Sequence, residues 1–418
     1  MDQEYDVVIV GAGLAGLSAA IELEKFDLNV LIIDRSDRAG GRVKTDQQDG
    51  FLFDRGFQVY LDAYPEGKAM LDYEDLDLRS FMPGALCFDH YRKFLVSDTT
   101  RQPASLPRMA LSPVGSFMDK IRMGNLAARL KSASLEEIFA RPEHTTRDYL
   151  KQLRFSPKIL ERFFQPFFAG IFLEGKLNTS SRMFEFVFKM MSEGNTTLPN
   201  HGMETIPQQL KAKLKKTEFR FHSEVKEIKG QQLLMEKSEN ISARHIIIAT
   251  EASSLVPQMA GKSKWQETAT YYFAAEKSVL RRKVIALNYH QDQLVNNFCV
   301  ISDIAPGYAP KNQHLVSVSL SRVPESSVED VSQEIKNELS DSFGASVQDW
   351  KFLRNYHIRK ALPVVPEVRG SVPISETRIR EGLYLAGDQM LNGSINAAMK
   401  SGQLAAQEAV LQYRTNGK

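Results

Sequence analysis

Three glycines near the start of the chain have the spacing of a phosphate-binding turn. Gly11, Gly13 and Gly16 follow the apolar run Val7–Val10 in the pattern GxGxxG. A β-branched apolar run predicts a strand that is buried on both faces of a parallel sheet. Glycines at this spacing permit a tight turn, approach of a pyrophosphate to the backbone, and close packing of the next helix. Because the N-terminus of that helix would present free N–H groups to phosphates, the pattern predicts a dinucleotide site.

An acidic residue stands where the ribose of such a nucleotide would lie. The apolar run Val30–Ile33 predicts a second buried strand, and Asp34 follows it directly. In dinucleotide-binding sheets, an acid about 20 residues after the glycines hydrogen-bonds the ribose hydroxyls. This spacing by itself fits NAD as well as FAD.

The segment Arg38–Thr45 indicates FAD rather than NAD. Its sequence, RAGGRVKT, resembles the R-x-G-G-R-x-x-T segment of the flavin-containing amine oxidase superfamily, which includes protoporphyrinogen oxidases and carotenoid desaturases. In that family the paired glycines and the second arginine, here Arg42, lie against the pyrophosphate and the flavin of FAD, and a guanidinium matches phosphate geometry. Phe53–Gln58 similarly resembles the family's F-D-x-G segment beside the flavin. The resemblance spans most of the chain, is weakest between residues 261 and 350, and implies FAD.

A second glycine signature lies near the C-terminus. The apolar run Leu383–Ala386 precedes Gly387 and Asp388, and a helical pattern follows Gly393. In the family that this segment resembles, the aspartate bonds the ribityl or phosphate region, and the N-terminus of the helix points at the flavin. The family residue that corresponds to Val225 bonds adenine through its backbone. Together, the spacing and the resemblance imply FAD contacts from Gly11, Gly13, Leu14, Ala15, Gly16, Asp34, Arg35, Gly40, Gly41, Arg42, Gly56, Phe57, Val225, Thr250, Gly387, Asp388, Ser394, Ile395 and Asn396.

The order of predicted elements indicates an α/β protein with two domains. By the resemblance, residues 1–82, 196–260 and 351–418 form a GxGxxG-type, Rossmann-like FAD-binding domain. Residues 83–195 and 261–350 form a discontinuous α+β substrate domain. Within its first part, residues 108–194 have a mainly helical pattern that is rich in phenylalanine.

The candidate substrate contacts come from this aromatic insertion and from segments beside the predicted flavin. The phenylalanines of residues 163–172 cannot all share one narrow helical stripe, so we expect Phe167 to line an apolar cavity that reaches the flavin. Most of the other rings should pack in the core. Gln58 and Tyr356 are expected in the same pocket. The catalytic residues are unassigned, with Tyr356 and Lys277 as candidates, since the family commonly places a lysine near the flavin.

These features predict an FAD-dependent oxidoreductase with a hydrophobic substrate. A hydride would pass from a C–H bond to flavin N5, as in a desaturase or a porphyrinogen oxidase, and oxygen, a quinone or another acceptor would reoxidise the flavin. Two alternatives remain open. An amine oxidase would be favoured by a pocket acid facing the flavin, and a flavin-binding scaffold without turnover would lack a catalytic group.

Composition argues against several other classes of protein. The 418 residues carry a net charge of +2, and there is no Lys/Arg run suited to nucleic acid. Cys87 and Cys299 are the only cysteines, which predicts no disulfide, no metal cluster and a cytoplasmic context. Because Leu391–Ser394 contains no cysteine, FAD should be held non-covalently. We expect neither a signal peptide nor a transmembrane helix; peripheral membrane contact and oligomeric state stay open.

Overall fold

The computed structural model describes residues 4–256, 264–290 and 292–416, which form a mixed α/β fold. The predicted domain boundary between residues 260 and 261 lies outside the described residues. The strands are β1 (Glu4–Val10), β2 (Val30–Ile33), β3 (Thr45–Gln48), β4 (Phe51–Asp54), β5 (Tyr60–Leu61), β6 (Leu78–Ser80), β7 (Gly84–Phe88), β8 (Lys93–Ser97), β9 (Thr196–Pro199), β10 (Glu218–Arg220), β11 (Val225–Lys229), β12 (Gln232–Met235), β13 (Ile241–Ile248), β14 (Lys264–Ala275), β15 (Ile285–Asn288), β16 (Val295–Val300), β17 (His314–Leu320), β18 (Lys351–Val364), β19 (Arg378–Arg380) and β20 (Leu383–Leu385). The α-helices are α1 (Leu14–Leu23), α2 (Pro65–Met70), α3 (Leu106–Leu111), α4 (Phe117–Ser132), α5 (Leu135–Ala140), α6 (Thr146–Gln152), α7 (Pro157–Ile159), α8 (Gln165–Phe172), α9 (Ser181–Glu193), α10 (Thr205–Lys213), α11 (Ile301–Ile304), α12 (Val328–Phe343) and α13 (Ile395–Asn416).

The first large sheet has eight strands and a parallel centre. β10, β2, β1, β13 and β20 lie side by side in this order, each parallel to its neighbour. Val8 and Ile9 of β1 face different hydrophobic cores, which explains why this strand is apolar at successive positions. On one face α1 packs against α13. The N-terminal and C-terminal glycine motifs therefore meet at the carboxyl ends of the parallel strands, where open α/β sheets bind their ligands.

The sheet differs from the sequence prediction at one place. Alternation over residues 219–228 predicts a single strand, but the structure has two, β10 and β11, separated by His222 with φ of +52°. β10 is parallel to β2, whereas β11 forms an antiparallel hairpin with β12. The backbone breaks here because the N–H of Ser223 donates to the carbonyl oxygen of Asp34, at 3.0 Å. This bond ties the turn to the end of β2.

The second large sheet has seven strands in the order β18, β14, β17, β16, β15, β7 and β8. Its outer face packs against α12, and its inner face belongs to the same core as the glycine motifs. β18 pairs with β14 along most of its length, so residues 351–364 belong to this sheet. The predicted boundary at residue 351 therefore differs from the observed arrangement. The alternating pattern of β18 predicts a strand, but it does not predict which sheet contains that strand.

The helical insertion carries α3 to α9, with the phenylalanines concentrated in α8 and α9. A π-helical turn, Leu160–Phe164, joins α7 to α8, and Pro166 lies in the first turn of α8. Proline lacks an N–H and its ring collides with the carbonyl one turn before it. The wider π turn accommodates both effects, so one helical path continues through the proline.

Candidate functional site

The glycine turn after β1 leaves open space at the start of α1. A Cβ on Gly16 would lie 1.9 Å from the carbonyl oxygen of Gly11, and Gly11 itself has a φ of +112°, so both positions require glycine for the fold. Gly13 differs, because its Cβ would meet only the Cα of Gly41, at 3.8 Å. Gly13 is also the N-cap of α1 and provides no side-chain cap. The free N–H groups of the first turn thus face a cradle lined by glycine backbone, which fits an anion such as a pyrophosphate.

Asp34 holds this turn in place. Its Oδ2 accepts the N–H of Ala12 at 2.7 Å, and its Oδ1 accepts the N–H of Ser36 at 2.8 Å. The carboxylate thus lies beside the glycine turn, at the end of β2. Thr250, which follows β13, lies on the other side of Gly11, since its Cβ is 3.2 Å from the position of a Cβ on Gly11.

The remaining contacts predicted for the adenosine end lie further along the sheet edge. Val225 begins β11 and pairs with Met235. Arg35 is exposed and lies 3.6 Å from Glu224, the residue before β11. The structure therefore brings Arg35 and the start of β11 to the same edge.

Arg42 and Asp388 form an ion pair between the two glycine motifs. Nη2 of Arg42 donates to Oδ1 of Asp388, and Nη1 donates to the carbonyl oxygen of Ala361 at 3.1 Å. The guanidinium also lies 5.3 Å from the ring centroid of Trp265. The Asp388 side chain is 5% exposed while that of Arg42 is 41% exposed, so the arginine borders solvent and can reach an anion.

The C-terminal motif presents backbone rather than side chains. Oγ of Ser394 accepts the N–H of Ala397 at 3.0 Å and so caps α13. Oδ1 of Asn396 accepts the N–H of Glu66 at 3.0 Å, and the side chain is buried. Ile395, the first residue of α13, is half-buried. A cofactor contact from these three residues would therefore come through the backbone N–H groups at the start of α13.

The segment Gly56–Gln58 connects the two sheets. Gly56 has a φ of +85°, and a Cβ there would lie 3.8 Å from both Thr268 and Ile358 of the seven-stranded sheet. The N–H of Phe57 donates to Oγ1 of Thr270 at 3.3 Å. Nε2 of Gln58 donates to the carbonyl oxygen of Arg42 at 2.9 Å. A continuous path thus runs from the arginine beside the glycine cradle to the inner face of the second sheet.

A polar row crosses that inner face, and the sequence analysis did not assign it to the site. Thr270 pairs with Tyr356 on one side and with Ser319 on the other, and Ser319 pairs with Asn297. All four lie on adjacent strands, and Ser319 and Asn297 are buried. α8 covers the end of the row, since a Cβ on Gly170 would lie 2.7 Å from Nδ2 of Asn297. Ser and Val alternate along β17, and this alternation predicts a strand with one polar and one apolar face. It does not predict which residues lie next to the polar face.

The two catalytic candidates have different positions. Tyr356 lies in this row, but its hydroxyl donates to Oδ2 of Asp46 at 2.7 Å, and burial raises its pKa to about 12. It therefore positions the strand and is a poor proton donor near neutral pH. Lys277 is exposed two residues beyond the end of β14, and the last residue of that strand, Ala275, is five strand positions or about 17 Å past Thr270. The structure does not bring Lys277 to the polar row.

Phe167 packs among other aromatic rings. It stacks on Phe163 with centroids 5.4 Å apart and contacts the edge of Phe168. Two open surface clefts, of about 620 and 510 Å³, lie elsewhere: the first beside Asp46 and Arg354, the second beside Lys277. Neither includes Phe167, so its role in a substrate pocket stays a prediction.

A buried carboxyl supports the segment beside the second sheet. Oδ1 of Asp54 accepts the hydroxyl of Thr45 at 2.5 Å and the N–H of Met203 at 3.0 Å, and Oδ2 accepts the hydroxyl of Tyr308 at 2.6 Å. Burial raises the pKa of Asp54 to about 6, in spite of these three donors. Asp54 directly precedes Arg55–Gln58, so it fixes the start of the connecting segment.

Within residues 4–256, 264–290 and 292–416, no cluster of three or more His, Cys, Asp or Glu side chains has the arrangement of a metal site. In the same part of the chain, no helix is both long and apolar enough to span a bilayer.

Comparisons with known proteins agree with this geometry. A sequence model of flavin containing amine oxidoreductases matches residues 14–410. Protoporphyrinogen oxidase 2 of Arabidopsis thaliana is 27% identical over 168 residues, which are 39% of this chain and 32% of that protein. The 4,4'-diapolycopene oxygenase of a Methylomonas species is 46% identical over 74 residues, 16% of this chain and 15% of the relative. These matches thus span a third or less of each relative's length. Cyclohexylamine oxidase of Brevibacterium oxydans shares the fold, with a TM-score of 0.73 at 14% identity over 99% of this chain and 100% of that one.

Proposed function

This chain belongs to the flavin containing amine oxidoreductases, which are FAD-dependent enzymes, and from that premise we propose that it removes a hydride from a C–H bond of a hydrophobic substrate. FAD, when bound, supplies the hydride acceptor. Oxygen, a quinone or another acceptor then takes up the two electrons. The eight-stranded sheet with α1 and α13 is the FAD-binding domain, and the inner face of the seven-stranded sheet is the substrate side.

The connection through Gly56–Gln58 carries this proposal. The segment joins the backbone of Arg42 to Thr270 by two hydrogen bonds, so it links the glycine cradle to the polar row. A cofactor whose phosphates lie on the cradle would extend along this segment toward the seven-stranded sheet.

Residues of the chain have defined roles in holding the cofactor. The free N–H groups at the start of α1 and the guanidinium of Arg42 would bind the pyrophosphate. Asp34 would accept hydrogen bonds from the ribose hydroxyls while it keeps the turn closed. The positive dipole end at the start of α13 would stabilise negative charge on a flavin bound near it.

The inner face of the seven-stranded sheet bears on the class of substrate. Thr270, Ser319 and Asn297 offer neutral hydrogen-bonding groups, and the surrounding core is apolar. This combination suits a largely apolar molecule, such as a linear polyene or the tetrapyrrole body of a porphyrinogen. The row contains no carboxylate, so an ammonium group would find no counter-charge there, and an amine oxidase is the less favoured alternative.

Anaerobic reduction of the bound flavin tests the proposal. The FAD-loaded protein is mixed with a porphyrinogen, a linear polyene and a primary amine in separate experiments, and bleaching of the flavin absorbance is followed. We expect bleaching by one of the two hydrophobic donors and none by the amine. Bleaching by the amine alone would establish the amine oxidase. If dithionite reduces the flavin but no donor in a broad panel does, the protein is a flavin-binding scaffold.

A further inference from the structure

The α3–α4 region exposes an unusual group of large apolar side chains. Within the described residues, eight large hydrophobic side chains are exposed, and five of them lie in this one region. Scattered exposed apolar residues need no explanation, but a contiguous group indicates an interaction surface. We call this group the apolar corner; its members and their exposed fractions are Leu106 (57%), Leu111 (87%), Phe117 (67%), Met118 (50%) and Ile121 (40%).

The two helices are built so that these side chains face outward. α3 buries Met109, and α4 buries Leu126 and Leu130 in its C-terminal half. Phe117 and Ile121 are four residues apart and so lie on one face of α4. Nζ of Lys120 donates to the carbonyl oxygens of Ala110 and Ser112, at 2.6 and 2.8 Å, and holds the end of α3 against α4. The corner is therefore a fixed part of the fold.

The charged residues along α3 and α4 are mostly basic. Residues 101–131 contain six basic residues and a single acid, Asp119. That acid is buried and accepts hydrogen bonds from Ser116 and Ser156, so its charge does not reach the surface around the corner. Arg108 is exposed between Leu106 and Leu111, whereas Arg122, which follows Ile121, lies 3.6 Å from Asp119 and balances its charge. Apolar tips flanked by cations are the pattern of a surface that enters the headgroup layer of an anionic bilayer.

We propose that the apolar corner docks the protein on an anionic lipid bilayer, with the five side chains inserted among the acyl chains and the cations at the headgroups. A second copy of the chain is the less suitable occupant, because a symmetric contact would bring two basic corners together. The inference does not rest on the proposed function, since lipid binding is measured without turnover.

Flotation of the FAD-loaded protein with phosphatidylcholine vesicles, with and without phosphatidylserine, tests the inference. We expect the wild type to float with the anionic vesicles and to be released by salt. The double variant Leu111→Ser/Phe117→Ser should bind at least about tenfold more weakly, because two large side chains lose their burial. The matched control is Val364→Ser/Leu411→Ser, whose residues are 41% and 49% exposed elsewhere on the protein; it should bind like the wild type.

Three results would overturn the proposal: wild-type protein that stays with the soluble fraction, equal losses in the two double variants, or a wild-type dimer that only Leu111→Ser/Phe117→Ser dissociates. Because all four substituted side chains are exposed, the variants should keep the wild-type melting temperature and FAD content, and both are measured first. An apolar corner that binds uncharged and anionic vesicles equally would also contradict the assigned role of the cations.

Discussion

Arg42 and Asp388 form an ion pair across 346 positions of sequence, and this pair links the N-terminal glycine motif to the C-terminal one. Arg42 is the partly exposed member, and Asp388 is almost fully buried. The carboxylate thus fixes the position of the guanidinium that we propose to bind the pyrophosphate.

Arg42→Met should weaken FAD binding by about 10- to 100-fold, because charged hydrogen bonds contribute about 1.5–3 kcal/mol. Arg79→Met is the control, since Arg79 is 43% exposed and also pairs with an aspartate, Asp77, away from the glycine motifs. Titration of the apoproteins with FAD measures both affinities. Equal losses of FAD affinity in the two variants would show that Arg42 does not contact the cofactor.

Gly13→Val should leave the apoprotein folded but weaken its binding of FAD. Gly13 has a φ of −79°, and the only protein atom near its Cβ position is 3.8 Å away, so a side chain fits the fold. The valine would instead occupy phosphate space, and we expect an affinity loss of about 10- to 100-fold. Gly16→Val is the contrast, because its side chain collides with the carbonyl oxygen of Gly11 and should prevent folding. Thermal unfolding of the apoproteins measures the effect on folding, and FAD titration measures the effect on binding. Normal FAD affinity in Gly13→Val would show that the phosphates do not lie against Gly13.

Asp34→Ala should lower FAD affinity by about 10- to 100-fold through lost ribose hydrogen bonds. The carboxylate also holds the N–H of Ala12, so a small loss of apoprotein stability should accompany it. Asp37→Ala, at a nearby exposed acid, serves as the control. An unchanged dissociation constant in Asp34→Ala would refute the ribose assignment.

Asp54→Asn should change how stability depends on pH. The pKa of Asp54 in the folded protein, about 6, is above its ordinary value of 3.8, so the wild type is most stable relative to the variant below about pH 4. As pH rises from 4 to 6, ionisation of the buried carboxyl should lower the free energy of unfolding of the wild type relative to Asp54→Asn by on the order of 3 kcal/mol. Urea unfolding between pH 4.5 and 7.5 measures this difference. Asp27→Asn, at a fully exposed site, is the control for an acid-to-amide substitution at the surface. A stability difference between wild type and Asp54→Asn that does not change with pH would contradict the raised pKa of Asp54.

The flavin should separate from the polypeptide when the protein is denatured with acid. Both cysteines are buried in the seven-stranded sheet, where burial raises their thiol pKa, and neither lies in the C-terminal motif. Flavin fluorescence in the supernatant after acid precipitation is the measurement. Flavin that remains with the precipitated protein would demonstrate a covalent bond.

The sequence by itself determined the features that depend on neighbouring residues. The strand, the glycine turn and the helix from Glu4 to Leu23 form a local unit, because the turn requires small residues at fixed spacing and the helix follows directly. The family segment at Arg38–Thr45 is similarly local, and the match to residues 14–410 confirms the family. Such motifs can be recognised from sequence because the contacts that define them join residues close along the chain.

Only the tertiary structure decided which distant residues meet. Alternation in β18 reveals a strand, but hydrogen bonding to β14 places it in the seven-stranded sheet. Ser319 and Asn297 join the row of Thr270 because of the register of three strands, and a shift of one residue would turn each side chain to the other face. Exposure of Leu111 likewise depends on how α3 packs, because the same leucine in another orientation would be core. Sequence periodicity indicates which residues share one face of a strand or helix. The packing of the whole chain decides whether that face meets the core, a ligand or solvent.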